Sequence, residues 1–252
     1  MITPTYARLT QKSDLTSVCL TVMHVRKLVW IVVEDSDTRT YLVAKLLARC
    51  KVSSVHLNVV TPDYYKHDKW KPRGVLQRNA GLSWIRDHHS IDNCSGVVYF
   101  GDDDNSYDLR VFEEMKETKG VSVWPVAFSG GVKIEGPLCK DGVIDKWHSG
   151  WGSERPFPID MAGFAIHLCL LMRNPKVLIG RDRQNRLSKP GYLESNLLEQ
   201  LVDKDLLECR GPPDEAIVWH VKTAEPDIPR EHNDPSDPLD IEWEKEYDKK
   251  AS

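Results

Sequence analysis

Short runs of β-branched and apolar residues alternate with helical patterns through the first hundred residues, and this alternation limits the possible folds more than any other feature. The runs lie at 28–33, 55–60 and 96–100. Before the first run, apolar residues recur from Leu15 to Val22 at the i, i+3, i+4, i+7 spacing of an amphipathic helix, and helical patterns also precede the other two. Strands that alternate with helices predict an α/β fold with a mostly parallel sheet and helices on both of its faces.

The second half of the chain is less regular. Its apolar patterns predict a strand at 121–128, a buried helix at 161–172, an amphipathic helix at 193–201 and a short strand at 217–221. The longest near-apolar stretch, 161–172, is shorter than the roughly 18 to 20 residues that a bilayer span needs. The start of the sequence shows no signal-peptide pattern and opens within a strand pattern, as in a fragment of a longer chain.

The charge balance limits the classes of partner. Lys and Arg number 34 against 38 Asp and Glu in 252 residues, which gives a formal net charge of -4. A protein that binds the phosphate backbone of nucleic acids would show a basic excess or stripe, so this balance argues against nucleic acid as the partner. With 40% apolar residues, the chain is long enough to bury a substantial core without disulfides.

Acidic residues follow two of the predicted strands directly. Asp35 ends the first run, and Asp102, Asp103 and Asp104 follow the third. Ligands of such sheets bind beyond the carboxyl ends of the strands, where consecutive carboxylates suit Mg²⁺ or Mn²⁺ shared with substrate phosphates. The alternative is a solvated acidic turn that caps the helix starting near Leu109. We favour the metal site on position, and the capping turn stays open.

Arg78 shares a helical stripe with Val75, Leu82 and Ile85, so its guanidinium should point inward and needs an anionic partner. That partner is either a structural carboxylate, the commoner case, or the phosphate of a ligand. Arg73 lies in the loop that approaches the same strand edge. Because the sequence has neither a P-loop nor a GxGxxG after a strand, bound phosphates would be neutralised by a metal and arginines.

Two other titratable residues have structural alternatives. Glu194 lies in the first turn of a predicted helix, where the helix dipole favours an acid. His220 follows Trp219 in a predicted strand, where a core histidine bonded to a backbone carbonyl is commoner than a ligand contact. On the residues alone, we expect the structural role for both.

Six cysteines are scattered without a CxxC pair or zinc spacing with histidine. They are Cys19, Cys50, Cys94, Cys139, Cys169 and Cys209. We expect separate buried thiols rather than a metal site or a disulfide framework. Asn93-Cys94-Ser95 is a glycosylation sequon, which matters only if the chain enters the secretory pathway.

In their order, these segments resemble the inverting glucuronosyltransferases of glycosyltransferase family 43, which use UDP-glucuronate to extend terminal galactose. The resemblance runs from Ile2 to about Glu242. The matching motifs are ITPTYAR at 2–8, VED at 33–35, PRG at 72–74, QRN at 77–79, VYFGDDDN at 98–105, VSVWPV at 121–126, RPF at 155–157, DMAGFA at 160–165, LES at 193–195 and VWH at 218–220.

The resemblance implies a GT-A type fold, with a Rossmann-like mixed sheet flanked by helices. It implies a nucleotide-binding half at 1–104, an acceptor-binding half at 105–242 and a mobile acidic tail at 243–252. The donor contacts that it implies are Tyr6 and Asp35 at the uracil, Arg73 and Arg78 at the nucleotide and the sugar carboxylate, Asp102 and Asp103 at the ribose, and Asp104 on Mn²⁺.

On the acceptor side, the resemblance implies galactose contacts and one general base. The galactose contacts are Glu135, Trp151, Arg155 and Asp160. Glu194 would take the proton of the acceptor 3-hydroxyl, and His220 would lie near the diphosphate or the donor sugar. An inverting transfer needs such a base opposite the leaving group, but no enzyme nucleophile.

Within the family, IEGP at 134–137, RPFP at 155–158 and GYLES at 191–195 look more like the branch that completes the glycosaminoglycan linker tetrasaccharide. The branch that acts on N-acetyllactosamine ends is the alternative. A third hypothesis is a glycan-binding or nucleotide-sugar-binding module without turnover. The basic loop at 180–189 and the extension after Trp243 match the family poorly. Members are Golgi type II membrane proteins and homodimers, which makes 234–242 a candidate dimer contact.

Overall fold

A computed structural model describes residues 1–63, 74–152, 154–212 and 215–224. Its first sheet holds three parallel strands in the order β1-β2-β3, and three helices follow them along the chain. The elements are β1 (Ile2–Tyr6), α1 (Gln11–Val22), β2 (Val29–Asp35), α2 (Tyr41–Arg49), β3 (Ser53–Asn58) and α3 (Val75–His88). The predicted alternation of strands and helices is confirmed in this half of the chain.

A second sheet continues the first. It has the order β11-β6-β10-β4, and an isolated parallel bridge from Ile2 to Phe100 places β1 beside the end of β4. The strands are β4 (Val97–Tyr99), β6 (Val121–Val123), β10 (Phe164–His167) and β11 (Leu207–Cys209). Because β10 is antiparallel to both β4 and β6, the combined sheet is mixed, as the resemblance implied, and less parallel than the alternation alone predicted.

A third sheet has the order β5-β12-β7-β8-β9 and carries Glu135 of the predicted acceptor side. Its strands are β5 (Ser106–Tyr107), β7 (Val126–Ala127), β8 (Ile134–Lys140), β9 (Val143–His148) and β12 (Val218–Trp219). The predicted strand at 121–128 is interrupted between β6 and β7, where Pro125 has no N–H for a ladder. The remaining helices are α4 (Leu109–Lys116), α5 (Leu168–Arg173) and α6 (Leu193–Glu199).

The core lies on both faces of the combined sheet. Alternate residues of β2 face opposite ways: Ile31 and Val33 join the cluster that contains α3, whereas Trp30 and Val32 join the cluster that contains α1 and α2. Both faces of this strand are therefore buried, which explains its continuous apolar run.

The helix predicted at 161–172 is wrong over its first half. Met161–Gly163 form a short 3-10 turn, Phe164–His167 form β10, and only Leu168–Arg173 are α-helical. A continuous apolar run does not distinguish a buried strand from a buried helix, and pairing with strands on both sides decided this one.

The prediction of separate thiols is also wrong. The six cysteines form three disulfides, Cys19–Cys50, Cys94–Cys169 and Cys139–Cys209, with Cα–Cα distances of 5.9, 4.8 and 6.2 Å. The partners are 31 to 75 residues apart in sequence, so only the tertiary fold brings them within disulfide range.

Every helix in the described ranges is too short or too polar to cross a bilayer. The division of the chain at residue 104 stays a prediction. The proposed dimer contact at 234–242 and the tail at 243–252 lie outside the described residues.

Candidate active site

The predicted donor residues lie where the strand order of the sheet reverses. β1 has β2 on one side and the end of β4 on the other, which is the type of switch point where α/β proteins bind ligands. Tyr6 ends β1 directly opposite Asp35 at the end of β2, so the fold brings together the two residues predicted at the uracil. The guanidinium of Arg8 lies 4.6 Å from the centre of the Tyr6 ring. Arg73 falls outside the described residues.

Asp35 is already engaged by the protein. Its two carboxylate oxygens accept hydrogen bonds from the backbone N–H and the Oγ1 hydroxyl of Thr61, at 2.6 and 2.7 Å. This fixes the orientation of the carboxylate at the end of β2. A contact with uracil stays a prediction.

Arg78 is buried, as the stripe predicted, and forms an ion pair with Asp102. Gly74, at φ +78°, leaves room for the guanidinium where a Cβ would clash with it. Tyr107 donates a hydrogen bond of 2.6 Å to the backbone carbonyl of Asp102. The inward arginine thus has a partner in the first carboxylate of the acidic triplet, in agreement with the structural alternative.

Asp103, the middle acid, is anchored to β1. Its Oδ2 accepts a hydrogen bond of 2.6 Å from the Thr5 hydroxyl, and its Oδ1 pairs with Arg8 at 2.9 Å. Arg8 also pairs with Asp14 at 2.6 Å, so one guanidinium bridges two carboxylates. Burial raises the pKa of Asp103 in spite of Arg8. Asp103 holds the triplet in place, and its contact with a ribose stays a prediction.

Asp104, the last acid, has the character of a cation ligand. Burial and the neighbouring charges of Asp103 and Asp102 raise its pKa to about 6. Beside it, the buried Asn105 amide has neither its nitrogen nor its oxygen hydrogen-bonded within the described chain. A hard divalent cation would relieve the repulsion among the three carboxylates, and the unpartnered amide oxygen of Asn105 is also of the type that such an ion binds. The capping alternative is wrong, because Asp108 caps α4 by accepting from Arg110 N–H at 2.9 Å.

Among the described residues, no cluster of three or more His, Cys, Asp or Glu side chains forms a complete metal cage. A cation at Asp104 would therefore need further ligands from a substrate or water. This is how Mg²⁺ and similar ions are held beside substrate phosphates.

Glu135 and Arg155 form a buried ion pair at the predicted acceptor side. The Glu135 carboxylate also accepts hydrogen bonds from the Ser129 hydroxyl at 2.7 Å and the Ser149 hydroxyl at 2.6 Å. The guanidinium of Arg155 lies 4.7 Å from the ring centre of Trp151, which is half exposed. An open aromatic face next to a buried polar group suits the apolar face and hydroxyls of a sugar.

Asp160 and His220 form a second pair, with 3.1 Å between Oδ2 and Nδ1. Burial opposes ionisation of Asp160, but hydrogen bonds from His220, Ala162 N–H and Ser129 lower its pKa below its ordinary value. The bond to Asp160 raises the pKa of His220 to about 9, so its imidazole is positively charged at neutral pH. His220 is therefore not a core histidine bonded to a carbonyl.

Glu194, the predicted base, is the second residue of α6 and is partly open to solvent. Burial raises its pKa to about 7, and the negative charge of Asp160 adds to the rise. Its own backbone N–H and the positive charges of Arg155 and Arg78 partly offset this rise in pKa. A carboxylate with a near-neutral pKa and an open side is suited to accept a proton at pH 7.

The two sides of the site share one electrostatic environment. The positive charge of Arg78, which is paired with Asp102 of the triplet, lowers the pKa of Glu194. The negative charges of Asp102 and Asp104 both raise the pKa of His220. The structure therefore brings the predicted base and the predicted cation ligand to the same region.

The sequence model of glycosyltransferase family 43 matches residues 18–224. The chain belongs to this family. It is a glycosyltransferase with 44% identity over 243 residues to galactosylgalactosylxylosylprotein 3-beta-glucuronosyltransferase 2 of Rattus norvegicus, a match that covers 96% of this chain and 74% of the relative. Enzyme 3 of the same name from Homo sapiens is 42% identical over 246 residues, covering 92% and 72%.

Solved structures support the fold of this family 43 enzyme. S. aureus TarS 1–349 aligns with a TM-score of 0.55 at 14% identity, over 86% of this chain and 58% of that one. The same protein in complex with UDP aligns with a TM-score of 0.52. At this identity the match shows the GT-A type fold alone, which confirms the predicted fold class.

Sequence reasoning missed several residues that organise the site of this glycosyltransferase. Thr5 and Arg8 hold Asp103, and Ser129 and Ser149 hold Glu135. Arg8 lies in the ITPTYAR motif and two residues after Tyr6, so its position was a usable signal. The two serines carried none, because an isolated serine in a glycine-rich segment is typical of any loop.

Proposed function

We propose that this enzyme transfers glucuronic acid from UDP-glucuronate to the 3-hydroxyl of a terminal galactose, with inversion at C1. The observation that carries the proposal is the environment of Glu194. Its carboxylate is partly open to solvent, has a pKa of about 7 and lies close enough to Arg78 and Asp160 for their charges to affect that pKa. The relatives are named 3-beta-glucuronosyltransferases, and these names support the donor sugar and the linkage.

In this reaction Glu194 takes the proton of the acceptor 3-hydroxyl while the hydroxyl oxygen attacks C1. The C1–oxygen bond to the diphosphate breaks on the opposite face, and its electron pair leaves with UDP. A positioned general base typically contributes about 10² to 10⁴ in rate. Holding the two sugars in line supplies much of the remainder.

The departing diphosphate needs positive charge. We propose that Asp104 holds Mn²⁺ there, and the bound ion would act as a Lewis acid and template for UDP. His220 adds a second positive charge, because Asp160 keeps it protonated up to about pH 9. Tyr6 and Asp35 would hold the uracil, Arg73 and Arg78 the nucleotide and sugar carboxylate, and Asp102 and Asp103 the ribose.

On the acceptor side, we propose galactose contacts from Glu135, Trp151, Arg155 and Asp160. The acceptor is the galactosyl-galactosyl-xylose trisaccharide of the glycosaminoglycan linker. The relatives' names, which specify a galactosylgalactosylxylosylprotein, support this branch over N-acetyllactosamine ends.

We propose that the enzyme works in the Golgi lumen as a homodimer and a type II membrane protein. Three disulfides support an oxidising compartment, because cytosolic proteins rarely keep them. The membrane anchor and the dimer rest on the family resemblance alone.

The test is UDP release from UDP-glucuronate with two acceptors, galactosyl-galactosyl-xylose and N-acetyllactosamine, each with Mn²⁺ or with a chelator. We expect Mn²⁺-dependent release with the linker trisaccharide. Release with N-acetyllactosamine alone would move the enzyme to the other branch, and release from a different UDP-sugar would refute the donor.

Two variants separate binding from transfer. Glu194→Gln should still bind UDP-glucuronate and should lose transfer, whereas Asp104→Ala should lose metal-dependent donor binding. If Glu194→Gln turns over as fast as the unmodified enzyme, Glu194 is not the base.

A further inference from the structure

The sequon Asn93-Cys94-Ser95 is presented for modification by the turn between α3 and β4. Asn93 ends the 3-10 turn Ile91–Asn93, and both Asn93 and Ser95 are exposed. Cys94 between them is buried in its disulfide with Cys169. Across the described ranges, the Asn93 side chain has no hydrogen-bond partner. The amide and the hydroxyl that a sequon requires are thus both accessible.

We infer that Asn93 carries an N-linked glycan; this rests on the proposed passage through the secretory lumen. All six cysteines form disulfides, which supports an oxidising compartment independently of the family resemblance. The co-reactant is an oligosaccharide on a lipid diphosphate. Asn93 Nδ2 bonds to C1 of the oligosaccharide, the C1–oxygen bond breaks with its electron pair, and one amide proton goes to the released diphosphate.

The glycan would leave the active site open. β4 runs from Val97 to Tyr99, with Asn93 before its amino end and Asp102 after its carboxyl end. The modified edge of the sheet is therefore opposite the edge that holds the acidic triplet.

The experiment expresses the chain in animal cells behind a heterologous cleavable signal peptide, so that every variant enters the lumen. We expect a mobility shift on treatment with peptide-N-glycosidase. Asn93→Gln and Ser95→Ala should lose it, and Ser95→Thr should keep it. The sequence contains no second sequon that could supply the shift. A secreted chain with its disulfides formed and no shift overturns the inference, and UDP release on the same sample tests the proposed function separately.

An independent observation concerns Ser129, a buried hydroxyl between two carboxylates. Its Oγ lies 2.7 Å from Glu135 Oε2 and 2.9 Å from Asp160 Oδ2. A serine hydroxyl has one proton, so it can donate to only one of these oxygens at a time. The two carboxylates therefore share a single donor.

Ser129 is also the described side chain that bonds to both ion pairs of the acceptor side. Arg155 pairs with Glu135, and His220 pairs with Asp160. Each pair balances one positive and one negative charge, and the two carboxylates meet at the Ser129 hydroxyl. Without that hydroxyl, two like charges would face each other with no donor between them.

We propose that Ser129 is a positioning residue for acceptor specificity, which rests on the proposed roles of Glu135 and Asp160. It fixes the spacing and orientation of the two carboxylates that meet the galactose hydroxyls. It has no predicted contact with the donor.

The test is steady-state kinetics of Ser129→Ala with the linker trisaccharide. A hydrogen bond to a charged group predicts roughly a tenfold or larger rise in acceptor KM. We expect kcat within about threefold and an unchanged KM for UDP-glucuronate, because general-base catalysis by Glu194 is kept. Ser129→Thr, which keeps the hydroxyl, should restore the acceptor KM.

Ser149→Ala is the matched control, because Ser149 bonds to both members of the Glu135–Arg155 pair but has no described bond to Asp160, so the link between the two ion pairs is kept. It should raise the acceptor KM less than Ser129→Ala does. Thermal unfolding of each variant reports whether the fold is intact, and UDP binding reports whether the donor side is intact. For a variant that is too weakly active for kinetics, acceptor binding is measured directly in the presence of UDP. An unchanged acceptor affinity, or equal effects on donor and acceptor, overturns the role of Ser129. Loss of transfer by the unmodified enzyme would instead count against the proposed function.

Discussion

Replacing Glu194 with glutamine should make the protein more stable while it abolishes transfer. Burial raises the pKa of Glu194 from 4.5 to about 7, so the folded state binds this proton more tightly than the unfolded state does. The free energy of unfolding of the unmodified protein therefore falls as pH rises through this range, by about 1.4 kcal/mol per pH unit. The total is on the order of 3 kcal/mol above about pH 7.

Glutamine does not titrate, so Glu194→Gln avoids this cost. We expect equal stability of the two proteins near pH 4 and a gain of up to roughly 3 kcal/mol for the variant at pH 8. The assay is urea denaturation of both proteins at the two pH values, with UDP release measured at pH 8. A structural acid in the first turn of α6 predicts the opposite sign, because its charge would favour the helix dipole.

A Glu194→Gln variant that is less stable than the unmodified protein at pH 8, or only equally stable, would refute a raised pKa at Glu194. Either result would mean that the ionised carboxylate is not destabilised by its surroundings. A near-neutral pKa would then be excluded, and with it the main physical support for Glu194 as the base.

Three further predictions concern other parts of the site and fold. The pH profile of kcat/KM should be bell-shaped, rising through about pH 7 as Glu194 ionises and falling through about pH 9 as His220 loses its proton. Asp160→Asn should shift the fall at alkaline pH to lower pH, because Asp160 raises the pKa of His220. Calorimetry should show that Asp104→Asn weakens UDP binding in Mn²⁺ at least tenfold but leaves metal-free UDP binding unchanged; equal losses would contradict a cation ligand. Replacing Cys19 and Cys50 together with alanine should cost roughly 3 to 4 kcal/mol in urea denaturation, since the disulfide closes a loop across 31 positions.

Much of the donor side could be predicted from local patterns. The strand after Leu28 and the acids after Phe100 are each a short run of consecutive residues, so each can be recognised from the sequence. Parallel strands place their carboxyl ends at the same edge of a sheet. The inward direction of Arg78 followed from its helical stripe, and the structure confirms it. Which anion it meets did not follow, because Asp102 comes from a different element.

The acceptor side depended on contacts between distant elements. Glu135 on β8, Asp160 before β10 and His220 after β12 come from three separate segments. Ser129 bonds to Glu135 and Asp160, and Asp160 pairs with His220, only after the fold has brought these segments together. No periodicity in the sequence encodes such a juxtaposition. The family resemblance supplied the candidate residues, and the fold supplied the hydrogen bonds between them.

Local patterns along the chain were enough to predict the alternation of strands and helices, the acidic triplet at a strand end and the inward arginine, because each depends on the spacing of near neighbours. Tertiary structure alone decided that Phe164–His167 form a strand, that the cysteines pair, and that burial brings the pKa of Glu194 close to neutral. These outcomes depend on strand pairing, on Cα–Cα distances and on exclusion of water, which arise only when segments far apart in the chain pack together.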